Sequence, residues 1–284
     1  MLPRRLVQTT RATRRALAGA PVPNGWTRDA VNTQLRLAAG RVRREGGLVR
    51  VPVGSFDVTG FSAGSLAFLH NEIFVKLAYY FRAGRPDPYI VDGGSNIGMS
   101  VLFFKALYPR ARVLAFEPAE PAHDLLVRNV EANELRGVDV HRAALGRVDG
   151  DVPFFEDADD PSTFRMSTRR ERISGRETSV RQRRLSEFLT EDIDLVKLDV
   201  EGSEDEVLED LVDSGTISRV GQLVVEYHHH LDGERDFLDA FLERLRGQGF
   251  RYQLSAHERL ADRAQLAPTF QDVLVHAFRT QVRT

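Results

Sequence analysis

The chain has no cysteine, so disulfides, thiolate metal sites and cysteine nucleophiles are all excluded. Lysine is nearly absent too: only Lys76, Lys105 and Lys197 occur among 39 cationic residues. That skew is read as the coding bias of a GC-rich, bacterial genome. No apolar run approaches the ~20 residues that span a bilayer, so membrane insertion is not expected and a cytoplasmic protein is. Strong charge of either sign is also missing. A net charge of −2 exerts no global pull on nucleic acid or membrane. With 42% hydrophobic and 28% charged residues over 284 positions, the composition is that of an ordinary globular protein.

Within this background one stretch organises the rest. An apolar run from Tyr89 ends at Asp92 and breaks into Gly93-Gly94-Ser95-Asn96-Ile97-Gly98. A helical pattern follows over Met99 to Leu107, and a second apolar run, Arg112 to Phe116, ends on Glu117. Strand, glycine turn, helix, strand and acid form a βαβ unit suited to a nucleoside-like ligand at the strand ends. The glycine spacing excludes two common ligands. A P-loop needs lysine after the second glycine, where Met99 stands; the dinucleotide fingerprint needs glycine at positions held by Ser95 or Asn96. Asp92 at the turn would repel a pyrophosphate and tolerate a cationic, phosphate-free ligand. S-adenosylmethionine has that chemistry. Gly94 and Gly98 would let the backbone approach it, and Glu117 would accept hydrogen bonds from its ribose hydroxyls.

Further strands are expected over Val138 to Arg142, Asp194 to Val200, Val220 to Tyr227, Phe250 to Leu254 and Asp272 to Phe278. Helices are expected over Ala122 to Asn133, Asp205 to Ser214 and Glu234 to Gln248. The rhythm is that of an alternating α/β sheet ending in an antiparallel pair. Residues 1–84 read as an N-terminal helical extension, with helices over Asp29 to Arg44 and Ser62 to Arg82 and a small hairpin around Gly54-Ser55. The first 20 residues are arginine-rich and acid-free, a solvated helix or frayed terminus rather than a transit peptide. Residues 85–284 read as the main domain. Its segment 149–184, where acids and then arginines cluster, is a substrate-shaping insertion with a self-paired charged surface.

The spacing Asp92-x-Gly94-x-Asn96-x-Gly98, then Phe116-Glu117-Pro118, then Asn129 and Asn133, resembles the FkbM family of class I methyltransferases. The block Ile193 to Glu204, with Asp199-Val200-Glu201-Gly202 at its centre, resembles that family's second signature, and Val224 to His228 its next strand. The resemblance implies a Rossmann-like, seven-stranded doubly wound sheet and S-adenosylmethionine as cofactor. It further implies methyl transfer to a hydroxyl of a sugar, glycan or secondary metabolite. By the same resemblance Asp92, Gly94, Asn96, Gly98 and Glu117 bind the cofactor, and Ala144 flanks adenine. Glu72 is either a further ligand contact or a partly exposed helix acid.

Removing a hydroxyl proton calls for a base or a metal. Asp199 would hold the ammonium or orient the acceptor. Glu201 is the leading base, although acids at Glu201 and Glu204 also suit a helix N-terminus. His228 would act as acid/base or substrate contact, or belong to a solvated loop. Lys197 pairs with Glu226 or serves the chemistry. No metal ligands are assigned, although Asp199 and Glu201 would suit magnesium and the histidine run a metal. Two rivals are carried. One is a nucleic-acid methyltransferase, weakened by the missing cysteine and the missing Asn/Asp-Pro-Pro-aromatic motif; the other is a non-catalytic module of the same fold. The expected partner is a small-molecule or glycan acceptor and no nucleic acid, with a homodimer left open.

Overall fold

The computed structural model describes residues 22–156, 167–168, 176–229, 237–256 and 271–279. The basic start, the acids at 157–160, the arginines at 165–172 and His230 lie outside them. A seven-stranded sheet runs β12-β13-β11-β10-β4-β5-β6 through the centre. Its strands are β4 (Tyr89–Gly93), β5 (Arg112–Phe116), β6 (Val138–His141), β10 (Ile193–Leu198), β11 (Val220–His229), β12 (Phe250–Ala256) and β13 (Gln271–Arg279). All neighbours pair in parallel except β13, which is antiparallel to both β11 and β12. β4 and β10 are buried on both faces, as central parallel strands are.

The helices are α3 (Met99–Leu107), α4 (Glu120–Ala132), α5 (Glu204–Asp213) and α6 (Leu238–Gly247). One apolar layer gathers Leu145, Leu185, Leu208 and Phe241. The other gathers Phe103, Phe104 and Leu126 together with Trp26, Val51 and Phe74 of the extension. The boundary drawn near residue 84 is therefore a change of sheet, not a break in packing.

The extension is less helical than its sequence suggests. It holds α1 (Trp26–Ala38), a three-stranded sheet β1 (Arg43–Glu45), β2 (Leu48–Val53) and β3 (Phe56–Gly60), and α2 (Ala63–His70). Trp26 stacks on Phe74 at 5.4 Å and donates its indole N–H to the Phe74 carbonyl at 2.9 Å. The edge strand β3 is closed by two side-chain amides four residues apart, Asn129 in the last turn of α4 and Asn133 at its C-cap. Asn129 exchanges both backbone hydrogen bonds of Thr59, and Asn133 those of Asp57. An edge satisfied in this way cannot template pairing with another chain.

The helix expected over Ser62 to Arg82 stops at His70. A π-helical turn, Asn71–Val75, follows, and then an irregular segment in which Leu77 adopts φ +59°. The cause is apolar density on every side. Ile73, Phe74, Val75, Leu77, Tyr79 and Phe81 are all buried, and a helix would bury one face only. The insertion supplies two strands, β8 (Gly150–Glu156) and β9 (Arg176–Arg184), of a second three-stranded sheet whose third strand is β7 (Ala144–Gly146), just ahead of it; the order is β7-β9-β8. Its described arginines pair with acids: Arg176 with Glu156, Arg181 with Asp151, and Arg183 and Arg184 with Asp149 and Glu187.

Candidate active site

The site begins at the turn after β4. Gly94 holds φ +76°, and a Cβ there would lie 1.8 Å from the Asp199 carbonyl oxygen, so only glycine fits. The Gly94 and Ser95 amides donate to the Phe116 carbonyl at 3.0 and 2.9 Å, tying the turn to the end of β5. Asn96 is left-handed at φ +49°, and its side-chain oxygen accepts from the Ile97 amide at 2.7 Å. Gly98, at φ +88°, starts α3 and lies against Leu126 of α4.

Glu117 ends β5. Its two carboxylate oxygens accept from the Asn96 amide (2.8 Å) and the Ala119 amide (2.9 Å). Burial pushes its pKa up to about 7 even though those two amides favour the charged form. Ala144 is buried in β7. Glu72 sits in the π-helical turn and binds Lys76 at 2.7 Å and Asn71 at 3.2 Å.

Asp92 does not present its charge to a ligand as the sequence reading expects. Fully buried, it accepts from the Ser100 hydroxyl at 2.5 Å and pairs with Lys197 at 3.1 Å. The same ammonium donates to the Gly93 and Gly94 carbonyls at 3.2 and 2.7 Å. Burial works to lower the Lys197 pKa, but the Asp92 and Asp199 charges outweigh it and hold it above the usual lysine value. Lys197 thus pairs with Asp92 rather than Glu226. In register it lies directly opposite Asp92 on β4, whereas its register partner on β11 is Val224.

The three proton-transfer candidates do meet. β10 leads into a turn in which Glu201 holds φ +55°, strain of the kind found at functional sites. His228 on β11 is buried, with Nδ1 2.8 Å from Glu204, Nε2 3.4 Å from Glu201 and Nε2 3.9 Å from Asp199. Glu204 is more than a helix-terminus acid: it also accepts from the Val200 and Gly202 amides at 3.3 and 3.1 Å. Burial opposes a charge on His228, yet Glu201, Glu204 and Asp199 raise its pKa well above the usual imidazole value. The surrounding carboxylates thus favour the imidazolium form of His228. Asp199, Glu226 and His228 each bring one ligand-type atom within 4.8 Å of the others, a set that could hold a metal ion.

Sequence reasoning missed Tyr79, whose hydroxyl contacts Asp199 at 3.0 Å and Glu226 at 3.2 Å. It lies upstream of every motif, and no spacing connects it to β10. The insertion also reaches the site: Ser167 donates to the Glu201 carbonyl at 2.5 Å, and Thr168 meets Ser203 at 2.8 Å.

Residues 92–252 match the family model described as the methyltransferase FkbM domain. The chain belongs to that family. Among curated relatives, Methyltransferase 1 of Beauveria bassiana (strain ARSEF 2860) is 33% identical over 194 residues, 61% of this chain and 76% of that protein. Methyltransferase sdnD of Sordaria araneosa is 34% identical over 233 residues, 71% of this chain and 85% of its own length. The 31-O-demethyl-FK506 methyltransferase FkbM of Streptomyces tacrolimicus is 31% identical over 236 residues, covering 71% and 88%. The chain is thus an FkbM-family methyltransferase on a seven-stranded α/β sheet. Among its described residues no helix is long and apolar enough to cross a membrane.

Proposed function

We propose that this FkbM-family methyltransferase uses S-adenosylmethionine to methylate a hydroxyl oxygen of a small sugar or secondary-metabolite acceptor. The observation that carries the reading is the convergence of Asp199, Glu201 and His228 at the strand ends, with the Asp199 carbonyl packed against the glycine turn. A proton-accepting cluster next to a donor site suits an acceptor that must lose a proton. The name of the Streptomyces tacrolimicus relative, with its O-demethyl substrate, supports an oxygen acceptor.

The residues fit the donor. Each Glu117 oxygen accepts one backbone amide, which leaves acceptor capacity for a ribose diol. Asp199 and Glu201 are partly exposed carboxylates, which suit a cationic ligand, and the Lys197 ammonium beneath the turn is engaged by Asp92 and two carbonyls. When bound, S-adenosylmethionine supplies an electrophilic methyl on a sulfonium. Glu117 and the Gly94 to Gly98 turn would hold the nucleoside. Asp199 takes the acceptor's hydroxyl proton on its carboxylate. We assign this role to Asp199 over Glu201 because three groups orient it: Tyr79 at 3.0 Å, Lys197 at 3.7 Å and His228 at 3.9 Å. Glu201 keeps His228 charged. Most of the rate then comes from holding acceptor and methyl in line at ~3–3.5 Å.

Isothermal calorimetry with S-adenosylmethionine tests the donor half. Micromolar binding is expected, and Glu117→Ala is expected to weaken it by at least about tenfold, the worth of hydrogen bonds to a charged group. Unchanged binding in that variant would sink the assignment. Tritium transfer from S-adenosyl-[methyl-³H]methionine to a panel of hydroxylated sugars and macrocyclic metabolites tests the acceptor half.

A further inference from the structure

Tyr79 lies outside the residues matched to the FkbM domain, in the irregular segment that leads from the π-helical turn to β4. Two local departures from regular backbone precede it: the π-helical turn, Asn71–Val75, and the left-handed Leu77 at φ +59°. Both are unfavourable for non-glycine chain, and such features persist where the surroundings require them. Here they carry a phenol into the strand ends. Its ring covers the Lys197 ammonium at 4.9 Å from the centroid, and its oxygen stands 3.0 Å from Asp199 Oδ2 and 3.2 Å from Glu226 Oε2.

A phenol has one proton to donate, so it cannot hydrogen-bond both carboxylates fully at once. It links them instead: with both carboxylates charged the O–H points to one of them, and once one is protonated that acid can donate to the phenol oxygen while the phenol donates to the carboxylate that stays charged. We propose that Tyr79 is a positioning residue of methyl transfer, joining Asp199 and Glu226 into one proton-accepting unit whose hydrogen bond moves as charge moves. This rests on the hydroxyl-acceptor reading above. As the acceptor's O–H bond breaks, its electron pair stays on oxygen and forms the new O–CH₃ bond. The C–S electron pair leaves on sulfur, and the proton goes to Asp199. The Tyr79 O–H then turns from the neutralised Asp199 to the charged Glu226. No proton leaves Tyr79, and burial together with the two acids keeps the phenol protonated.

The test is Tyr79→Phe, which keeps the ring and removes the hydroxyl. The assay uses S-adenosyl-[methyl-³H]methionine and whichever panel acceptor the wild type methylates fastest. The expected result is a kcat lower by about ten- to hundredfold, the worth of one hydrogen bond to a charged group. The dissociation constant for S-adenosylmethionine should stay within about twofold. In an Asp199→Asn background the same substitution should cost under about threefold more, since a group acting through Asp199 loses its lever. A Tyr79→Phe enzyme as fast as wild type, or an equal loss in both backgrounds, overturns the inference. A second measurement needs no acceptor. In urea unfolding, Tyr79→Phe and Glu226→Gln should combine non-additively by about threefold or more in the equilibrium constant, and additive effects overturn the linkage. A wild type that binds S-adenosylmethionine but methylates no hydroxyl overturns the acceptor reading instead, whatever the unfolding cycle gives.

Discussion

Two histidines are buried almost equally, His70 at 1% exposure and His228 at 4%, yet their surroundings favour opposite charge states. His70 stacks on Phe74 in the extension, and its Nδ1 lies 2.9 Å from the Gln34 amide nitrogen. An amide N–H donates, so Nδ1 accepts and the ring is neutral. Burial alone pushes its pKa down to about 3. His228 meets the same opposition from burial, but three carboxylates reverse it. The extension uses its buried polar group to hold shape. The strand ends keep charge where charge is costly, which marks the region built for chemistry.

The sharpest break in this comparison comes at Asp199. Asp199→Asn is expected to lower methyl transfer by roughly 10²–10⁴, the usual worth of a proton-transfer group, while urea unfolding changes little. Glu201→Gln should fall short of that loss. Equal losses in both variants would move the proton acceptor to Glu201.

Next in size is the buried pair under the turn. Lys197→Met leaves Asp92 charged without its cation and should cost about 3–5 kcal/mol in urea unfolding. Replacing both residues, Lys197→Met with Asp92→Leu, should recover a good part of it. No recovery would mean that the lysine matters for the turn carbonyls rather than for Asp92.

The effect at His70 follows pH and is the smallest over any single pH unit. The folded protein takes up this proton only near pH 3, the unfolded chain near 6.5. Between those values the unfolded chain holds the extra proton, so stability falls as pH falls. The slope is about 1.4 kcal/mol per pH unit. Above pH 6.5 the group contributes no slope. His70→Gln should remove this slope, so that the gap between variant and wild type narrows as the solution is acidified from 6.5.

The fold was legible wherever a local pattern matched its environment. Strands such as Tyr89–Gly93 and Ile193–Leu198 are short apolar runs because both faces are covered, and glycine punctuates them where the backbone turns left-handed. Asp199, Glu201 and His228 were legible as groups at strand ends, since β10 and β11 are neighbours. Three features needed the third dimension. The helix beyond His70 fails because Leu77, Tyr79 and Phe81 are all buried, whereas helical periodicity covers one face. Lys197 has an acid on each neighbouring strand, and only register selects Asp92. Tyr79 is brought to Asp199 by the π-helical turn and the left-handed Leu77 ahead of it, which no spacing encodes.

The 1.8 Å between a hypothetical Gly94 Cβ and the Asp199 carbonyl has a practical consequence for redesign. The glycine turn proposed to hold the donor and the strand end proposed to accept the proton are in backbone contact, so neither can shift without the other. New acceptors are better sought by diversifying β8 and β9, where a hairpin tolerates change, with residues 71–81, 92–98 and 197–204 kept as an invariant chassis.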